Sequence, residues 1–157
     1  METRTVLFVD DEEKVLASLK RGLLDEPYEK LFATSGKEAI ELLKQNEVHV
    51  IVTDMKMPEM TGLELLRIVK REYPHIVRVV LSGYTQITTL LAAINQGQIF
   101  KFITKPWKLE EEFKGVVREA LERYNLQKQQ LASEAQLTAA QSSDTSEKMQ
   151  EEGRTQT

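Results

Sequence analysis

The chain has 157 residues, 41% hydrophobic and 29% charged, enough for one globular domain of ordinary core size plus some spare chain and too little for several domains. A formal net charge of −4 and a sequence pI near 5.4 exclude a surface built to grip a phosphate backbone, which needs clustered Lys and Arg, so direct nucleic-acid binding is not expected. Cysteine is absent, which removes disulfides, thiolate metal sites and a thiol nucleophile; no apolar run is long enough to span a membrane. The start, Met1-Glu2-Thr3-Arg4, lacks the basic and apolar regions of a signal peptide, and the expected location is therefore the cytoplasm.

Along the chain, β-branched and apolar runs at residues 5–9, 28–33, 48–53, 76–81 and 100–104 read as strands. Four of them are nearly continuous in apolar residues, as expected of strands covered by helices on both faces of a parallel sheet. Between them the apolar spacing turns helical: Val15, Leu16, Leu19 and Leu23, then Ala39, Ile40 and Leu43, then Leu63, Leu66 and Val69, then Leu90, Leu91 and Ile94. Ser35 with Glu38 and Thr61 with Glu64 have capping-box spacing at two helix starts. Five βα units in this length predict a three-layer α/β domain, because right-handed crossovers put helices on both faces.

A fifth helix is predicted from near Leu109, with an apolar stripe through Phe113, Val116, Val117, Ala120, Leu121 and Tyr124. The domain should end at residue 124. Residues 125–140 are good helix formers with only Leu126, Leu131 and Leu137 as large apolar side chains, a helical extension. Val117, Tyr124 and Leu131 trace a weak heptad that Gln127, Glu134 and Thr138 interrupt, so a dimerising and a solvated helix are both open. Residues 141–157 hold Met149 as their one large apolar side chain and read as a disordered tail.

Open parallel sheets bind ligands beyond the carboxyl ends of their strands. There the chain delivers Asp10-Asp11-Glu12 after strand one, Asp54 after strand three, Ser82-Gly83 after strand four and Thr104-Lys105-Pro106 after strand five. Taken singly, each has an ordinary explanation as a cap, a turn or a surface charge. Together they make sense as a metal-assisted phosphoryl acceptor. Crowded carboxylates repel unless a hard, oxygen-preferring cation such as Mg²⁺ sits among them. Asp54 would then be the nucleophile, with Lys105 and Ser82 holding phosphoryl oxygens.

The strings Leu7-Phe8-Val9-Asp10-Asp11-Glu12, Thr53-Asp54-Met55-Lys56-Met57-Pro58-Glu59-Met60-Thr61-Gly62, Leu81-Ser82-Gly83-Tyr84 and Phe102-Ile103-Thr104-Lys105-Pro106-Trp107 resemble, in order and spacing, the receiver domains of two-component response regulators. The resemblance covers roughly residues 4–124 and implies a flavodoxin-like (βα)5 fold with strand order 2-1-3-4-5. It implies phosphoryl transfer to Asp54 from a sensor histidine kinase or phosphotransfer protein, followed by slow self-catalysed hydrolysis, so the chain signals and is not a turnover enzyme. It assigns Mg²⁺ to Asp10, Asp11, Asp54 and the Lys56 backbone carbonyl, and the switch to Ser82 and Phe102. Lys56 and Tyr84 take the positions that tune phosphoryl lifetime, and the Lys105–Pro106 bond is expected to be cis. Ser82 stands where Thr is frequent, and Phe102 lacks the hydroxyl of the frequent Tyr.

The run from Phe100 to Trp107 is similar to receivers that precede cyclic-dinucleotide phosphodiesterase or ATPase output domains, though no motif of such a domain is present. A downstream output domain or protein is the expected partner, with a homodimer through the helix 4/strand 5/helix 5 face or the C-terminal helix as a further possibility. The competing readings are a degenerate receiver that acts as an interaction module without phosphate, a haloacid-dehalogenase-type phosphatase and a dinucleotide binder. The phosphatase would want an acid where Lys56 stands, and the binder a phosphate-cradling loop where Asp10-Asp11-Glu12 stands. His49 and His75 read as structural or exposed, Trp107 as packing at the start of the last helix, and Met55, Met57 and Met60 as loop packing.

Overall fold

Strands that are apolar on both faces need cover on both, and the computed structural model supplies it. It describes the backbone of residues 2–155 and the side chains of residues 2–140 other than Tyr84. The order is β1 (Thr5–Val9), α1 (Glu13–Gly22), β2 (Glu29–Ala33), α2 (Gly36–Gln45), β3 (Val50–Asp54), α3 (Gly62–Glu72), β4 (Val77–Ser82), α4 (Ile87–Asn95), β5 (Lys101–Thr104) and α5 (Lys114–Thr155). A 3-10 turn at Tyr84–Gln86 precedes α4, and a π-helical turn at Leu109–Phe113 precedes α5. The five strands are all parallel, in the order β2-β1-β3-β4-β5 that the resemblance implies.

Alternation along each strand divides the interior into two cores. Leu7, Val9, Ile51 and Val80 meet Ala39 and Leu43 of α2, Leu65, Leu66 and Val69 of α3, and Leu90 and Ala93 of α4. Val6, Phe8, Val50, Val52, Val79 and Leu81 meet Leu16 and Leu19 of α1 and Val117 and Ala120 of α5. Both capping predictions hold at the N-termini: the Ser35 and Thr61 hydroxyls accept from the Glu38 and Glu64 amides at 3.1 and 3.2 Å. The α4 stripe is a correction. Leu90 and Ala93 face inward, and Leu91, about 100° further round the helix, is 51% exposed.

The start of the last helix also differs from a simple α-helix. Phe113 N–H reaches back five residues to the Lys108 carbonyl at 3.0 Å, and this wider turn seats Phe113 against Phe8 and Trp107, with ring centroids 6.0 and 5.0 Å away. Lys114, which opens α5, is buried. Its ammonium bonds Asp25 at 3.0 Å and Glu110 at 2.7 Å, which ties the first turn of α5 to the loop after α1.

The chain divides into two units, residues 1–124 and 125–157. Within the second, Leu126, Leu131 and Leu137 are 55%, 50% and 62% exposed. The backbone is helical through Thr155, where the sequence reading expects disorder from 141; the side chains from 141 and residues 156 and 157 lie outside the described residues.

His49 is buried and structural. Its Nδ1 accepts from the Thr5 amide at 2.8 Å and its ring meets Tyr124 edge-on at 4.8 Å, while His75 is exposed. Burial, the largest influence, holds the His49 pKa below the usual imidazole value; the Glu47 carboxylate 3.5 Å from Nε2 opposes it and the Arg4 charge adds to it. A folded pKa below the unfolded one means that the stabilisation is present above about pH 6.5 and is lost as pH falls through the depressed folded value. Urea midpoints between about pH 5 and 8 should therefore fall on the acid side, and His49→Gln should flatten that slope.

Candidate functional site

The parallel order brings the carboxyl ends of β1, β3 and β4 side by side with β5 at the edge, and the charged residues of the sequence pattern meet there. Asp10 follows β1 with no solvent exposure; its Oδ1 accepts from the Glu12 amide at 2.9 Å. Asp54, the last residue of β3, is 8% exposed, and its Oδ1 accepts from the Met55 amide at 2.9 Å. Asp11 is exposed beside them, and one carboxylate oxygen from each of Asp10, Asp11 and Asp54 lies within 4.8 Å of the others. Lys105 lies between the two buried acids, with Nζ 3.1 Å from Asp54 Oδ1 and 3.2 Å from Asp10 Oδ2.

Local structure explains why these groups stay in place. The Lys105 amide donates to the Ser82 carbonyl at 2.8 Å, extending the β4–β5 ladder to the lysine, and the Lys105–Pro106 bond is cis as expected. Gly62, the first residue of α3, donates to the Met55 carbonyl at 2.9 Å. A Cβ at Gly62 would stand 2.1 Å from the Asp54 carbonyl oxygen, so only glycine lets α3 close on the end of β3. Met55 and Met57 are buried in the core beneath, and Met60 packs against it.

The electrostatics follow from burial. Desolvation first, then the Asp10 charge, push the Asp54 carboxyl above the ordinary carboxylate range, against the Lys105 and Met55 hydrogen bonds that pull it down. Burial alone would lower the Lys105 pKa, yet its bond to Asp54 and the charges of Asp54 and Asp10 outweigh that and raise it. The ammonium is thus firmly charged, and one cation faces three carboxylates. That excess of negative, all-oxygen donors fits a hard divalent cation such as Mg²⁺.

The remaining predicted residues are arranged around this group. Ser82 closes β4 and is buried; among the described residues its hydroxyl lies 2.9 Å from the Gly83 carbonyl oxygen, 3.0 Å from Gln86 Oε1 and 3.8 Å from Met55 Sδ. Phe102 is half-buried and borders a groove of about 290 Å³ with Ile103, Gly115, Val116 and Glu119. Lys56 is exposed on the loop after Asp54, and the side chain of Tyr84 lies outside the described residues. Sequence reasoning missed Gln86 and Lys114. The first carries no motif, and the second gains its meaning only from Asp25, 89 residues away.

The model of the response regulator receiver domain matches residues 6–118. Among curated proteins the chain is 42% identical over 123 residues to the hydrogenase transcriptional regulatory protein HoxA of Cupriavidus necator, covering 78% of this chain and 25% of that one. The chain thus spans about a quarter of the length of that relative. A crystal structure of an uncharacterized protein from Neptuniibacter caesariensis superposes with a TM-score of 0.74 at 41% identity, covering 80% of this chain and 92% of the other. The signal receiver domain of an HD domain-containing protein from Pseudomonas fluorescens Pf-5 does so with a TM-score of 0.75 at 30% identity, covering 82% and 94%.

The acidic group should respond to metal. At about ten times its dissociation constant, Mg²⁺ specific to the folded state adds about 1.4 kcal/mol. The thermal midpoint should rise accordingly in millimolar Mg²⁺, and Asp11→Asn should remove most of the rise, as scanning calorimetry will read.

Proposed function

This chain belongs to the response regulator receiver domain family, and from that premise we propose that Asp54 is its phosphoacceptor, charged by a sensor histidine kinase or phosphotransfer protein. The observation that carries the proposal is the Lys105 ammonium lying 3.1 Å from Asp54 and 3.2 Å from Asp10, in a group of three carboxylates. In this reading an Asp54 carboxylate oxygen attacks the phosphorus of a phosphohistidine. The O–P bond forms as the N–P bond breaks, and the imidazole nitrogen keeps the electron pair and takes up a proton. Lys105 turns from its carboxylate partners to a phosphoryl oxygen, where charge accumulates, and Ser82 donates its hydroxyl to another. Mg²⁺, held by Asp10, Asp11, Asp54 and the Lys56 carbonyl, would supply the charge neutralisation that lets two anions approach. Water attacking the acyl phosphate returns Asp54 to its free form, and Lys56 and Tyr84 set how readily it enters.

The chain is therefore a signalling domain whose chemistry acts on itself. Its output is carried by the face of α4, β5 and α5, next to Ser82 and Phe102, toward a downstream domain or protein. That the full-length relative is a transcriptional regulatory protein supports an output of this kind beyond the receiver. Among the described residues no helix is long and apolar enough to cross a membrane, and we place the chain in the cytoplasm.

A small-molecule phosphodonor with Mg²⁺ should add one phosphoryl group to the wild type and none to Asp54→Asn, by intact mass spectrometry; equal labelling would remove Asp54 from its role. We also propose that phosphorylation biases a monomer–dimer equilibrium through the α4–β5–α5 face or the C-terminal helix. Light scattering should show beryllofluoride raising the mass of the full chain toward twice the monomer; a rise that persists in a chain ending at Tyr124 assigns the contact to the α4–β5–α5 face, and one lost there assigns it to the C-terminal helix. Unchanged mass in both, with and without beryllofluoride, would leave a monomer whose activated face binds another protein.

A further inference from the structure

A serine hydroxyl has one hydrogen to donate, and the buried Ser82 hydroxyl already has two oxygen acceptors in reach, neither of them on Asp54. The Gly83 carbonyl oxygen is 2.9 Å away and Gln86 Oε1 is 3.0 Å away. Gly83 offers main chain, which is present whatever residue stands there. Gln86 offers a side chain, and it ends the 3-10 turn that leads directly into α4.

We propose that Gln86 is a positioning residue of the phosphoryl switch: its side-chain amide holds the Ser82 hydroxyl away from Asp54 and must release it before that hydroxyl can bind a phosphoryl oxygen. The proposal rests on the reading of Asp54 as phosphoacceptor. It follows from competition for a single donor. The free energy of the Gln86 bond opposes every state in which Ser82 bonds the phosphoryl group, so Gln86 lowers the affinity of the active arrangement. The same contact joins the hydroxyl to the 3-10 turn that leads into α4, so release at the site loosens that turn.

The test is a double-mutant cycle on the full chain, reading the affinity for beryllofluoride with Mg²⁺ by calorimetry. Loss of one neutral hydrogen bond changes an equilibrium roughly two- to tenfold, so Gln86→Leu should bind beryllofluoride tighter by that factor. Gln86→Met, of similar length, should do the same. In the Ser82→Ala background, where there is no hydroxyl to compete for, Gln86→Leu should leave the affinity unchanged. An equal effect in both backgrounds would mean that Gln86 acts on general structure, and no effect or weaker binding with Ser82 present would remove its restraining role. Either result overturns the proposal while wild-type binding that Asp54→Asn abolishes leaves the phosphoacceptor reading standing. Absence of beryllofluoride binding by the wild type would overturn both.

Discussion

The placement of one ammonium between two buried carboxylates is the constraint that the rest of this structure serves. Asp10 has no solvent exposure and Asp54 has 8%, and burying such a pair without a cation would cost several kcal/mol per ion. Lys105 meets that requirement from 95 residues away in sequence. It reaches the pair because β5 lies beside β4, and because the Lys105 amide bonds the Ser82 carbonyl at the end of that ladder. A lysine alone does not balance three carboxylates. The remaining negative charge, all of it on oxygen donors, is what suits this edge to a hard divalent cation.

Precision at that edge comes from below. The two cores fix the sheet from both faces, and the methionines after Asp54 extend one of them under the loop that follows β3. Gly62 then lets α3 approach so closely that its missing side chain is the clearance for the Asp54 carbonyl. A carboxylate whose backbone is gripped in this way would lose little orientation in the proposed transfer step, which is the contribution a scaffold makes to such chemistry.

What could be read from the sequence was what depends on local pattern or on strand ends. Nearly continuous apolar runs identified four of the parallel strands, and at β1, β3 and β4 the polar residue that stops the run is the one that reaches the site; Asp54 and Ser82 are the final residues of β3 and β4. Ser35 and Thr61 were recognisable because a cap needs only its own helix. Leu91 was misread because a nine-residue helix with no charged side chain gives no polar face to orient it. Lys114 and the π-helical turn were invisible for a different reason. A lysine is an exposed charge until Asp25 and Glu110 enclose it, and the wide turn depends on where Phe8 and Trp107 place Phe113.

The same uncharged helix explains why a single hydrogen bond at Ser82 has leverage. The chain after the C-terminal end of α4 is strongly tied: Arg78 donates to the Gln98 and Gly97 carbonyls at 2.8 and 3.2 Å, and Lys70 donates to the Gln96 carbonyl at 3.2 Å. Charge-assisted bonds of this kind are roughly twice as strong as neutral ones. Among the described residues the N-terminal end has no side-chain cap, and a neutral contact between Gln86 and Ser82 links it to the sheet edge. A helix pinned at one end and lightly held at the other yields first at the light end, which is the end beside Ser82. Leu91 lies one turn along from that end and is already half-exposed. In the proposed switch, a change in the donor preference of one buried hydroxyl would reach the exposed apolar surface of α4 with no rearrangement of the sheet.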